Sequence, residues 1–193
     1  MLTREAAMSH TGSPDPAGAT APDPSGGVRD VRRTTTAPYS PEDWQLLVRL
    51  PGRVIVAVSS GPENPARAVA EGLAGLDGIA AGRAFDSELV RAVVAAIYAE
   101  SDDGHSAPVR SHSPDGGLTD LLQSCRAAVQ VLTRHADPAD SAAYRQWVQS
   151  VAARVCRAAG PDGRPRPFGD PVEPAQRALL DRLGEALGLR SAG

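Results

Sequence analysis

The sequence is short of several things, and each shortage excludes something. It has no lysine, so all 20 basic residues are arginine. Aromatics are 4 % of the chain, so a core must come from Ala, Val and Leu. Side chains that small favour close helix–helix packing over a thick sandwich. There are two cysteines, Cys125 and Cys156, and no CxxC. That pair cannot frame a metal site alone, and each falls inside an apolar helical pattern. Two readings stand: buried thiols acting as small hydrophobes, or one disulfide between helices. The longest apolar run, Val54 to Val58, is far too short to span a bilayer, and residues 1–8 lack an apolar leader core. A soluble chain in a reducing cytoplasm, without membrane insertion, is the expectation.

Charge of one sign is also lacking. Twenty arginines face 23 acids, for a net charge of −3. The arginines are interleaved with Asp and Glu, so no basic stripe exists for nucleic acid. Several motifs of chemistry are missing too: a Gly-rich phosphate loop, a serine elbow, HExxH and an EF-hand. His135 lies ten residues beyond Cys125, about 15 Å along a helix, so the two form no dyad there. No catalytic residue, metal ligand or cofactor is assigned.

What is present amounts to 193 residues, 41 % of them hydrophobic. Residues 1–38 are rich in Pro, Gly, Ser and Asp and bury too little apolar area to offset chain entropy. They read as a disordered tail. Its one basic patch is Arg29, Arg32 and Arg33, followed by Thr34-Thr35-Thr36. The patch is either plain linker or a docking peptide.

Residues 39–193 read as an all-α bundle of six to seven helices. Ser40-Pro41 and Asn64-Pro65 are cap-plus-proline starts, and Asp137-Pro138 repeats the pattern. Trp44, Leu47 and Val48 form the first stripe, and Pro51 predicts a kink or a fresh start. Val54–Val58 continues as helix, with a buried strand as the alternative. Val69, Leu73, Leu76 and Ala80 recur at helical spacing, with Gly82 as the stop. Asp86 is expected to cap a helix bearing Leu89, Val93 and Ile97. Residues 101–116 read as a long loop holding His105 and His112. Leu118 to Leu132, Tyr144 to Ala158, and Leu179 to Leu187 mark the remaining helices, with Gly188 ending the last.

The segments led by Trp44 and Trp147 echo each other. The echo is either two hairpins about an approximate two-fold axis or coincidence in an Ala/Val-rich chain.

The last third carries a resemblance. Ala152-Ala153-Arg154-Val155-Cys156-Arg157-Ala158-Ala159-Gly160-Pro161-Asp162-Gly163, a loop, then Val172-Glu173-Pro174-Ala175-Gln176-Arg177-Ala178-Leu179-Leu180 and Leu183 resembles the TerB-like, tellurite-resistance associated helical domain. It covers residues 141–189 and, faintly, 41–82. It implies an all-α bundle of pseudo-repeated hairpins and acidic positions associated with a divalent cation. Here only Asp162, Asp170 and Glu173 stand near those positions, and Gln176 replaces an expected acid. A hard cation wants more oxygen ligands than that.

The expectation is therefore a non-enzymatic cytoplasmic interaction module, whose partner is another protein or itself as a homo-oligomer. A small-ligand or divalent-cation-binding domain is the alternative.

Overall fold

The computed structural model describes residues 38–59, 64–102, 114–158 and 172–189. The patch Arg29, Arg32 and Arg33, with residues 1–37 of the expected tail, lies outside them. So do Asp162, Asp170, His10, His105 and His112.

The described residues form six α-helices and no strand. In chain order these are α1 (Pro41–Val58), α2 (Pro65–Ala81), α3 (Glu88–Asp102), α4 (Pro114–His135), α5 (Pro138–Ala158) and α6 (Pro174–Ala186). Five of the six begin on proline, whose missing N–H costs nothing in the first turn. Ser40 Oγ accepts from the Asp43 N–H at 3.1 Å, and Asn64 Oδ1 accepts from the Arg67 N–H at 3.1 Å. Asp137 Oδ1 accepts from the Ala139 N–H at 2.8 Å. The Pro-led starts that mark helices in the sequence are thus real caps.

Three local expectations need correcting. Ser87, not Asp86, caps α3: its hydroxyl accepts from the Val90 N–H at 3.2 Å and donates to Asp140 Oδ1 at 2.6 Å. Residues 114–116, expected in a loop, already belong to α4. Pro51 does not start a new helix, because α1 runs through it. A proline there cannot donate to the Leu47 carbonyl. The Tyr144 hydroxyl donates to that carbonyl instead, at 2.7 Å, inside the core. A side chain from α5 thus satisfies the acceptor that Pro51 leaves without its helical donor.

Helix α5 is the axle of the bundle, packed against all five other helices. Tyr144, Trp147, Val148, Val151, Ala152, Val155 and Cys156 along it are fully buried. The Tyr144 and Trp147 rings meet edge-on, 5.8 Å between centroids. Trp44, by contrast, is half-buried at the rim beside Tyr39. The light aromatic content therefore places one tryptophan inside and leaves the other at the edge.

The C-terminal end of α6 closes as the sequence predicts. Gly188 takes φ 64°, and the Leu189 N–H reaches the Gly184 carbonyl at 2.9 Å while the Gly188 N–H reaches Glu185 at 3.0 Å. This paired closure needs a left-handed residue, which glycine supplies without a Cβ clash.

Candidate functional site

Helix α2 lies along α5, and its inward face is made of very small residues. Gly75, Gly78 and Ile79 are buried there, with Gly82 just beyond the helix end. A Cβ on Gly75 would stand 2.6 Å from Ile55 Cγ1. One on Gly78 would stand 3.2 Å from the Val151 backbone, and one on Gly82 would stand 2.7 Å from Trp147 Nε1. The indole N–H donates to the Gly78 carbonyl at 3.1 Å, locking the two helices. Gly82 caps the end of α2, the stop the sequence predicts. It has ordinary helical angles, φ −59° and ψ −21°, and is there to admit the indole.

The same face buries an acid. Glu71 is wholly enclosed and pairs with Arg67 at 2.8 Å. That hydrogen bond, above the other charges nearby, holds the guanidinium in its charged form. Arg67 also reaches Glu173 at 3.5 Å, next to the first turn of α6. Gln176 completes the cluster, with its amide oriented so that the oxygen accepts from Arg67 Nη2 at 2.7 Å and the nitrogen donates to the Cys156 carbonyl at 3.2 Å. Glu173, the acid the family resemblance places near a cation, is thus engaged by an arginine. Gln176, where the family pattern expects an acid, serves as a neutral bridge between α2, α5 and α6. Among the described residues no three His, Cys, Asp or Glu side chains converge on one point.

Because small residues face inward, the large ones face out. Val69, Leu73 and Leu76 are 63 %, 59 % and 55 % exposed. This overturns their expected place in the core. The stripe has true helical spacing, but it lies on the wrong side of the helix to be buried. The exposed residues of α2 are Pro65, Ala66, Val69, Leu73, Leu76 and Asp77, so one charge serves the whole outer face. Monomeric proteins seldom leave large apolar residues contiguous and uncovered without use for them. Gly72 lies between Val69 and Leu76 by helical spacing, and a Cβ there would meet nothing within 4 Å.

A second feature is an open cleft of about 370 Å³ on α1, lined by Glu42, Gln45, Leu46, Arg49 and Arg53. Its charges are mixed in sign, and two of its polar groups already have protein partners. Gln45 Nε2 donates to Glu100 at 2.9 Å, and Arg53 donates to the Ser124 hydroxyl at 2.6 Å. It holds no nucleophile.

The cysteines and the last histidine take structural places. Neither cysteine is in a disulfide, and both are buried. Burial pushes the Cys125 thiol up to about 12, so it stays protonated at neutral pH. His135 ends α4 and is exposed, with its ring edge-on to Tyr39 at 5.9 Å between centroids. No described helix is long and apolar enough to cross a membrane. No family model, curated protein or solved structure matches the chain.

Sequence reasoning found the residues of the α2 face but assigned them to the interior. The signal that could have turned the helix round is the spacing of Gly75, Gly78 and Gly82. They recur at three- and four-residue steps like a stripe of their own, and they share a side with Glu71.

Proposed function

We propose that the chain is a non-enzymatic, cytoplasmic helical interaction module whose docking surface is the outer face of α2. One observation carries the reading: Val69, Leu73 and Leu76 are each more than half exposed on a helix whose inner side is locked by Glu71 and three glycines. Rotating the helix to hide the leucines would carry Arg67 away from Glu173 and pull the glycines from under Ile55, Val151 and Trp147. The face is therefore fixed outward by the fold, ready to take the apolar side of a partner helix. The TerB-like resemblance adds no cation ligand to the reading from Glu173, which Arg67 already engages.

The test is photo-crosslinking in the cell of origin. A benzophenone amino acid is placed at Leu73 and, as a control, at exposed Gln130 on α4. The expected result is one discrete adduct from position 73, lost when Leu76→Asp is added. Equal labelling from both positions would refute the reading.

A further inference from the structure

We infer that the first half of α6, residues 174–180, is a strap over Cys156 that lifts from the bundle on its own, released at Arg67, while the second half stays docked. The inference is independent of what binds the outer face of α2.

The first ground is how differently the two halves of α6 are held. In the first half the one buried residue is polar, Gln176, with Leu179 and Leu180 half-buried at its end. In the second half Leu183, Gly184 and Ala186 are buried, with Leu187 buried at the cap. Side chains of α5 also hold this end by its backbone. Gln149 Nε2 donates to the Leu180 carbonyl at 3.0 Å, and Arg145 donates to the Gly188 carbonyl at 3.5 Å. Local opening begins where little apolar surface is buried, so the first half goes first.

The second ground is the clasp. Arg67 pairs with the enclosed Glu71 on its own helix, and that pair needs nothing from α6. The contacts to α6 are Glu173, at 3.5 Å, and the Gln176 amide oxygen, at 2.7 Å. The Glu173 side chain is 34 % exposed, so salt screens its attraction to Arg67. The buried pair within α2 is screened far less. The strap thus leaves and returns to a receptor that stays formed.

The third ground is what the strap covers. Arg145, Gln149 and Cys156 stand on one stripe of α5 by helical spacing, and the first two touch α6. Cys156 carries the stripe to the level of Gln176, whose amide nitrogen donates to its carbonyl at 3.2 Å. Cys125 is buried as well, but on α4, with Arg53 and Tyr144 as charged or titratable neighbours and no part in the clasp. The two thiols therefore report on different parts of one molecule.

The test labels the native full chain with excess N-ethylmaleimide and follows each cysteine by mass spectrometry of its peptide. Cys156 should react about ten-fold or more faster than Cys125, which waits for a larger opening. Raising NaCl from about 0.1 M to about 1 M shortens the screening length from about 10 Å to about 3 Å. The ratio of Cys156 to Cys125 labelling should then rise about two- to five-fold, the range for an exposed ion pair. Glu173→Gln should raise the ratio by a similar factor at low salt and remove most of the salt response. Hydrogen exchange places the break within α6. Amides of residues 177–180 should exchange through the opening that bares Cys156, and those of residues 183–187 through a larger one.

Equal labelling of the two cysteines overturns the inference, because α6 then leaves only when the whole chain unfolds. Faster labelling of Cys156 that ignores both salt and Glu173→Gln takes the release away from Arg67 and also overturns it. Exchange of all the α6 amides in one step makes the helix a single unit, with the same consequence.

Discussion

The two sides of α2 invert the usual rule of burial. Inside are an acid, two glycines and one isoleucine, with a third glycine just past the end, while outside are a valine and two leucines. Hydrophobic burial alone would favour the opposite rotation by several kcal/mol, since each large aliphatic side chain hidden contributes about 1.5–3 kcal/mol. Two things outweigh it. Close approach to α5 requires residues without side chains, so the backbones of α2 and α5 meet through Gly78 and Val151. Arg67, paired with Glu71 on the same helix, then reaches Glu173 and ties the start of α2 to α6. Shape and a single ion pair decide which face goes in, and the apolar stripe takes what remains.

If the inner face is what fixes the helix, its changes should cost most. Glu71→Ala should be the severest. It leaves Arg67, whose side chain is 12 % exposed, without its main partner and opens a hole where the enclosed Glu71 side chain sat. Removing one member of a buried pair is strongly destabilising, and because Arg67 touches water the loss should be about 3 kcal/mol. Urea unfolding would measure it. A loss under about 1 kcal/mol would mean that Glu71 does not set the rotation.

Gly82→Ala should follow, at about 2 kcal/mol, the ordinary cost of overpacking. The residue's angles are those of a helix, so alanine meets no backbone strain there. The whole cost comes from contact: the new methyl would stand 2.7 Å from Trp147 Nε1, 2.8 Å from its Cε2 and 2.8 Å from Val94 Cγ2. The indole cannot step aside without losing its hydrogen bond to Gly78. Unchanged thermal unfolding in Gly82→Ala would show that the indole can move, and the contrast between the two faces would lose its steric half.

These residues show why some of the molecule is legible in the sequence and some is not. Helix starts are local chemistry. Ser40, Asn64 and Asp137 bond to N–H groups two or three residues on, so reading along the chain finds them. The end at Gly188 is local in the same way. The continuity of α1 is not local, because the donor that meets Leu47 is Tyr144, 97 positions away. From the sequence Pro51 could only break or bend its helix. The face of α2 is harder still. Two stripes of suitable spacing run along it, one aliphatic and one of glycine, and amphipathic reasoning weights the aliphatic one. Only the neighbour, an α5 that carries Trp147 and Val151 at the same level, selects between them. The all-α bundle was therefore within reach of the sequence, whereas the exposed site was visible only as a misassigned core.

The smallest effect should come from the outer face, and it is the sharpest test of the contrast. Leu76→Gln replaces a large aliphatic residue in the middle of a helix. Were Leu76 in the core, the change would bury an amide and cost several kcal/mol. With 55 % of its surface open, the amide stays in water and glutamine suits the helix about as well as leucine. Stability should change by less than about 0.5 kcal/mol. Urea unfolding at a few micromolar, below any association, isolates the fold from the interface. A loss above about 1.5 kcal/mol would put Leu76 inside and turn α2 round, taking the docking face with it. No loss at low concentration, joined to loss of the crosslinked adduct from position 73, would show that this helix keeps its larger aliphatic residues for a partner rather than for its own core.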